Sequence, residues 1–186
     1  MEKTESSEQV VLVDDHGQSI GVADKATVHS ADTPLHLAFS CHIFNRDGHV
    51  LMTRRALGKK TWPGVWTNAV CGHPAPGEDM TDAVTRRVQQ EIGLGISQIQ
   101  PALPDFRYRA VDASGVVENE ICPVFIAYAE SDPHPADDEV AQWEWVDPTQ
   151  LAQAVSATPF AFSPWLVMQL DAWPGRYGVE PDTSVR

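Results

Sequence analysis

The sequence predicts an α+β protein, a mixed α/β sandwich, on three observations. Short apolar runs bounded by turn residues recur along the 186 residues, one strongly periodic helix stands among them, and two helical stretches close the chain. This is not the strict strand–helix alternation of a doubly wound sheet. Residues 10–13 read as a short strand. Residues 35–44 and 49–53 read as two more, joined by Asn45-Arg46-Asp47-Gly48, where Asp-Gly between apolar runs signals a hairpin. Met80, Ala83, Val84, Val88 and Ile92 recur at helical spacing, and Gly93 is a natural C-terminal stop. Residues 105–111 and 116–128 read as longer strands turning through Ala113-Ser114-Gly115, with Pro123 marking an edge or a bulge. Residues 140–146 add a strand, and 148–155 and 162–170 add helices. Residues 1–8 and the polar tail from about Pro174 are expected to fray, within one domain spanning 1–186.

The chain carries 26 acidic and 13 basic side chains, a formal charge of −13, and 42% apolar residues. That apolar content suits a globular core. The charge repels phosphate backbones and argues against a nucleic-acid partner. The longest near-unbroken apolar stretch, residues 122–129, is far short of the roughly 20 residues a spanning helix needs, so no membrane partner is expected. A polar N-terminus and three scattered cysteines (Cys41, Cys71, Cys122) point to a cytoplasmic protein without a disulfide framework, and a monomer is the default expectation. The charge is also uneven. Residues 54–109 hold eight basic and five acidic side chains, a local +3 against −16 elsewhere. Such a cluster is a solvated face unless chemistry gathers it.

Four constellations carry chemistry. Gly72, Glu78, Arg86, Glu91 and Gly93 follow G-x5-E-x7-R…E-x-G, five positions of the Nudix signature, whose helix presents carboxylates to magnesium and a diphosphate. Where the full signature has Glu, this chain has Arg87 and Gln90, which argues against pyrophosphate hydrolysis. Arg87 and Glu91 share a helix face, as either a surface ion pair or a grip on a Mg-diphosphate. His29, His36 and His73 lie in separate segments, and Glu118 and Glu120 point to one side of a strand. Together they would suit Mn²⁺, Mg²⁺ or Zn²⁺, although His36, in an apolar strand, equally suits a hydrogen-bonded core position. His16, His42, His49 and His134 read as surface or packing residues. Cys71 ends an apolar step beside the Nudix-like glycine, where electropositive surroundings would lower its pKa; Cys41 and Cys122 read as small buried hydrophobes. Alternation places Phe106 and Tyr108 on one strand face, opposite Arg107 and Arg109, with Tyr108 either core or paired with Glu120 as a proton relay.

These pieces, with HSADT from His29, LHLAF from Leu35, TRRAL, KK, WPGVWTN, VCGHP, PDFRYRA, VENE, CPVF and ATPFAFSPW in order, closely resemble the type I isopentenyl-diphosphate Delta-isomerases, which have a Nudix fold. The resemblance runs from about Lys25 to Gln169. It implies a metal-dependent isomerase acting on a small isoprenoid diphosphate, isopentenyl or dimethylallyl, through a carbocation. It makes Cys71 and Glu120 the catalytic pair, Tyr108 the assistant of Glu120, and Trp165 the indole facing the reacting carbons. Taken alone, an apolar-helix tryptophan such as Trp165 reads as core, and Trp62 and Trp66 read as packing for the Pro63-Gly64 turn. The resemblance further implies a first metal, Mn²⁺ (or Zn²⁺ or Mg²⁺), on His29, His36, His73, Glu118 and Glu120. A Mg²⁺ riding on the diphosphate would take Glu91 and the Cys71 carbonyl, and Lys25, Arg55, Lys59 and Arg87 would clamp the diphosphate. Two alternatives stand beside it: a Nudix hydrolase of a nucleotide or prenyl diphosphate, and a non-catalytic metal- or diphosphate-binding module.

Overall fold

The apolar run at 35–44, expected as one strand, divides at Ala38, and that division organises the molecule. The computed structural model describes residues 8–178. Its elements in chain order are strands β1 (Gln9–Val13) and β2 (Ser19–Asp24), one turn of helix α1 (Lys25–Val28), and β3 (His36–Leu37), β4 (Phe39–Phe44), β5 (Val50–Arg55), β6 (Trp66–Asn68) and β7 (Val70–Gly72). Helix α2 (Met80–Ile92) follows, then β8 (Ile96–Leu103), β9 (Arg107–Val111), β10 (Val117–Ile121), β11 (Val124–Ala129) and β12 (Val140–Val146), and helices α3 (Pro148–Ala157) and α4 (Pro164–Asp171). The α+β class holds. Among the described residues, no helix is long and apolar enough to cross a membrane.

Two sheets result, one ordered β2-β1-β3-β10-β9 and the other β12-β5-β4-β11-β8, with β6 on β5 and β7 on β4. The chain changes sheets twice, side by side: β3 passes to β4 at Ala38, and β10 passes to β11 at Cys122-Pro123. Both crossings are parallel pairs, His36 facing Glu120 in one sheet and Ser40 facing Val124 in the other. Hydrogen bonds from Ala38 N to Ile121 O (2.9 Å) and from Ser40 N to Pro123 O (3.1 Å) carry the ladder round the corner. Pro123, expected at an edge or bulge, sits at this corner and contributes only its carbonyl. The stretch 116–128 is therefore two strands.

Alternation along β4 and β5 separates two cores. Phe39, Cys41, Ile43 and Leu51 pack against Ala83, Val84, Val88 and Ile92 of α2. Phe44, Val50 and Met52, one residue out of phase, pack against Leu151, Val155 and Leu166 of α3 and α4. Helix α2 matches its expected span. Asp79 caps it by accepting from Thr81 N, and Gly93 (φ 64°) ends it in the left-handed conformation. Helix α4 starts later than expected, because Ser163 caps it and Pro164 takes its first turn. The tail expected to fray from Pro174 is docked as far as Tyr177, whose ring is buried in the second core. Residues 1–7 and 179–186 of the segments expected to fray lie outside the described residues.

Candidate active site

Strand register assembles the floor of a cavity of about 190 Å³. Glu120 on β10 lies opposite His36 of β3 on one side and Tyr108 of β9 on the other. His73 follows β7, and His29 ends α1. Ligand atoms of His29, His36, His73 and Glu120 all lie within 4.8 Å of one another. His36 Nε2 is 3.4 Å and His73 Nε2 3.2 Å from Glu120 Oε1, and the two nitrogens are 3.2 Å apart. Glu118 joins through its Oε2, 3.2 Å from His29 Nε2. Glu118 and Glu120 line the same cavity, as their i, i+2 spacing predicts.

The electrostatics suit a divalent cation. The Pro34 carbonyl, 2.9 Å from His36 Nδ1, can only accept, so Nδ1 carries the hydrogen and Nε2 is turned into the site. Burial opposes charge on Glu120, but hydrogen bonds and charge from His36 and His73 outweigh it and hold the carboxyl well below its ordinary range. Burial likewise opposes charge on His36, yet Glu120 raises its pKa; at His73 burial prevails and lowers it. Among the described residues, His29 Nε2, His73 Nδ1 and Glu118 Oε2 are buried without a hydrogen-bond partner. Of these, His29 Nε2 and Glu118 Oε2 stand 3.2 Å apart, an imidazole nitrogen and a carboxylate oxygen that fit a divalent metal.

Cys71 stands opposite Ser40 in the β4–β7 pairing, its Sγ 3.0 Å from Ser40 Oγ and 3.5 Å from both Asn68 Oδ1 and Nδ2. Its pKa does not follow the sequence expectation. Burial pushes the thiol up to about 12, against the lowering by Ser40 and Asn68, so Cys71 is a thiol that holds its proton. Asn68, which sequence left without a role, is fully buried and links the two reactive-looking groups. Its Oδ1 accepts from Trp165 Nε1 (3.1 Å), and its amide NH₂ donates to Val70 O (2.9 Å) and Cys41 O (3.2 Å). Its place in the WTN stretch was the available signal. Trp165, on α4, is 3% exposed and lines the cavity, with Trp62 edge-on at 5.3 Å and the Arg55 guanidinium 5.5 Å from its ring centre. Trp62 thus braces Trp165 beyond its expected turn. Tyr108 is buried and lies across from Glu120, but the two side chains are not hydrogen-bonded to each other.

The expected cations form the rim. Lys25, Arg55, Lys59 and Arg87 all line the cavity, as does Glu91. Most are already paired: Lys25 with Glu8 (2.5 Å), Lys59 with Glu139, and Arg87 with Glu91 and Glu8. Arg55 donates to the Thr61 carbonyl. Glu139 had no sequence signal beyond an acidic run. Burial raises the Glu91 carboxyl against the pull of Arg87. A Cβ on Gly72 would meet Arg87 Cγ and Phe39 Cζ at 2.9 Å, so only glycine lets α2 lie this close beside Cys71. Of the thirteen site residues expected from sequence, only His36 fails to line the cavity, being wholly buried behind it.

Fold and site together define a Nudix-domain protein: the family profile matches residues 34–166. A crystal structure of a Deinococcus radiodurans protein superimposes with TM-score 0.69 at 16% identity, covering 88% of this chain and 98% of the other, and shares the fold. The chain belongs to the isopentenyl-diphosphate Delta-isomerase family. It is 63% identical to the Clavibacter michiganensis isopentenyl-diphosphate Delta-isomerase over 88% of this chain and 84% of that protein. With the enzyme of that name from Leifsonia xyli it shares 58% identity over 96% and 97%.

Proposed function

We propose that the chain interconverts isopentenyl and dimethylallyl diphosphate by protonating and deprotonating opposite faces of the isoprenoid. One observation carries the reading. A protonated thiol, Cys71, and an ionised carboxylate, Glu120, line one small cavity whose rim is cationic. An unactivated alkene is a very weak base, so moving its double bond needs an acid and a base held in place at once. Cys71 supplies a proton to one face, and Glu120 takes one from the other; in the reverse reaction the roles exchange. Tyr108, beside Glu120 in the sheet, assists it. The cation formed between these steps must be kept from water, and burial of Trp165 and Tyr108, with Cys71 half-buried against them, supports a dry pocket. The Trp165 ring face stabilises that cation by about 2 kcal/mol when desolvated.

Lys25, Arg55, Lys59 and Arg87 hold the diphosphate, whose binding energy positions the reactive end. His29, His36, His73, Glu118 and Glu120 would hold the first metal, Mn²⁺, Zn²⁺ or Mg²⁺, and Glu91 with the Cys71 carbonyl would hold a Mg²⁺ accompanying the diphosphate. When bound, these cations supply fixed positive charge that sets the position and protonation of Glu120 and neutralises the diphosphate. A hydrolase reading lacks its carboxylates, since Arg87 and Gln90 stand where the hydrolase signature has Glu.

Incubation of metal-loaded protein with isopentenyl diphosphate in deuterated buffer tests the reading. Deuterium is expected to enter the substrate while phosphate release stays negligible. No incorporation would refute isomerisation, and phosphate release from nucleotide or prenyl diphosphates would restore the hydrolase.

A further inference from the structure

Ser40 and His42 alternate with Cys41 along β4, so both turn toward α4 while Cys41 enters the other core. Neither has a part in the proposed reaction, and His42 reads from sequence as surface or packing. Yet both are wholly buried, as is Gln169 of α4. Ser40 Oγ lies 3.0 Å from Cys71 Sγ and accepts from Gln169 Nε2 at 2.8 Å. Gln169 Oε1 is 2.9 Å from His42 Nε2, and His42 Nδ1 is 2.7 Å from the Tyr177 hydroxyl. None of the four lines the cavity. They form one continuous buried file ending on the sulfur.

The file has a direction. Gln169 Oε1 can only accept, so His42 carries its hydrogen on Nε2. Burial pushes His42 down to about 4, against the Gln169 hydrogen bond, so the ring is neutral and Nδ1 is a bare acceptor. Tyr177 must then donate to it. At the other end, Ser40 Oγ already receives the Gln169 amide hydrogen, and the Cys122 thiol approaches it at 3.7 Å. The nearest acceptor left for the Ser40 hydroxyl hydrogen is Cys71 Sγ. Every donor thus points the same way, an arrangement in which successive hydrogen bonds polarise one another.

We propose that Tyr177, His42, Gln169 and Ser40 are positioning residues that aim a one-way file of hydrogen bonds at the Cys71 sulfur and stabilise the negative charge left there once its proton has gone. The proposal rests on the reading of Cys71 as proton donor. It also explains the placement of Gln169 one helical turn after Trp165: α4 brings the indole to the cavity and the amide to the back of the thiol. A buried polar file costs more than an apolar core of equal volume unless every member is satisfied. Here each is, and the free end is the sulfur.

Two measurements on the full chain test this. Nitrogen-15 NMR of labelled protein, without substrate, reads the His42 tautomer. A neutral ring protonated at Nε2 and bare at Nδ1 is expected near neutral pH, and the opposite tautomer reverses the file and overturns the proposal. The second is steady-state kinetics of Ser40→Ala and Ser40→Thr. A hydrogen bond to a developing charge predicts a kcat loss of roughly ten- to hundredfold in Ser40→Ala with KM unchanged, and recovery in Ser40→Thr, which keeps the hydroxyl. Unchanged kcat in folded Ser40→Ala refutes it. If Ser40→Ala does not fold, Tyr177→Phe decides: it removes only the far hydroxyl, so kcat should fall a fewfold at constant KM, and wild-type kcat overturns the proposal. A wild-type protein with no isomerase activity would instead sink the proposed function, while the tautomer still reports on the file alone.

Discussion

The floor and the rim of the cavity are built on different principles. The floor rests on strand register: Glu120 faces His36 and Tyr108, and Cys71 faces Ser40. Its groups are buried or half-buried and closely set, and among the described residues His29 Nε2 and Glu118 Oε2 have no hydrogen-bond partner. The rim consists of long side chains from α1, α2, the end of β5 and the loop after it, and all but Arg55, which holds the Thr61 carbonyl, already meet a carboxylate. A floor fixed by backbone suits proton transfer, where small displacements are costly. A rim of exchangeable ion pairs suits capture of a mobile polyanion, because the cations are assembled before the ligand comes and need only trade partners.

Replacing floor residues should therefore have the largest effect. Cys71→Ala and Glu120→Gln are each expected to lower kcat by about 10³- to 10⁴-fold, with the far-UV circular dichroism spectrum unchanged. Turnover retained in either variant would remove that residue from the chemistry and collapse the distinction between floor and rim.

The floor's backing makes a second difference measurable, in acid. His42 has a pKa near 4 in the fold, pushed down by burial, against an ordinary value of 6.5. Above pH 6.5 neither the folded nor the unfolded chain protonates it, and its contribution to stability is complete. Between 6.5 and 4 the unfolded chain binds a proton that the folded chain refuses, so stability falls as pH falls. The loss is about 1.4 kcal/mol per pH unit, about 3 kcal/mol over the window. Urea unfolding from pH 7 to 4, without added metal, should show a slope in His42→Gln shallower than that of wild type by about this amount. Equal slopes would mean that the ring behind Cys71 is not held neutral.

Sequence disclosed the site better than the fold. The residues that carry chemistry are polar, stand out against apolar runs, and keep fixed local spacings such as Glu118–Glu120 and Arg87–Glu91, so they were legible before they were seen together. The sheet corners were not. In residues 35–44 and 116–128, apolar side chains continue straight through Ala38 and Cys122, because a strand that leaves one sheet for another stays buried on both sides of the break. Strand β8 escaped because it is a sheet edge, interrupted by Pro101 and half exposed. Strands β6 and β7, of three residues each, are too short for any period. Tyr177 sits in a tail whose composition is that of a loop, and only its burial in the second core and its hydrogen bond to His42 reveal that it is docked. The raised Cys71 pKa was hidden for a related reason: the lowering was expected from a metal and diphosphate beside the thiol, whereas the packing that desolvates it comes from β4 and α4, far along the chain.

The rim should yield the smallest change, and one of a different kind. Lys59 and Glu139 are each about a quarter exposed, and their ion pair must open before Lys59 can serve a diphosphate. Losing such a cation costs about 1.4 kcal/mol, so Lys59→Ala should raise KM about tenfold and leave kcat nearly untouched, the mark of binding shared equally by ground and transition states. Glu139→Gln removes the competitor and keeps the shape of the side chain. It frees Lys59 at the outset, and KM should fall a fewfold, with the gain shrinking as salt is added. A kcat loss in Lys59→Ala as deep as that of Cys71→Ala would make the rim part of the proton-transfer geometry. A raised KM in Glu139→Gln would mean that Glu139 helps to hold the ligand rather than guarding the cation for it.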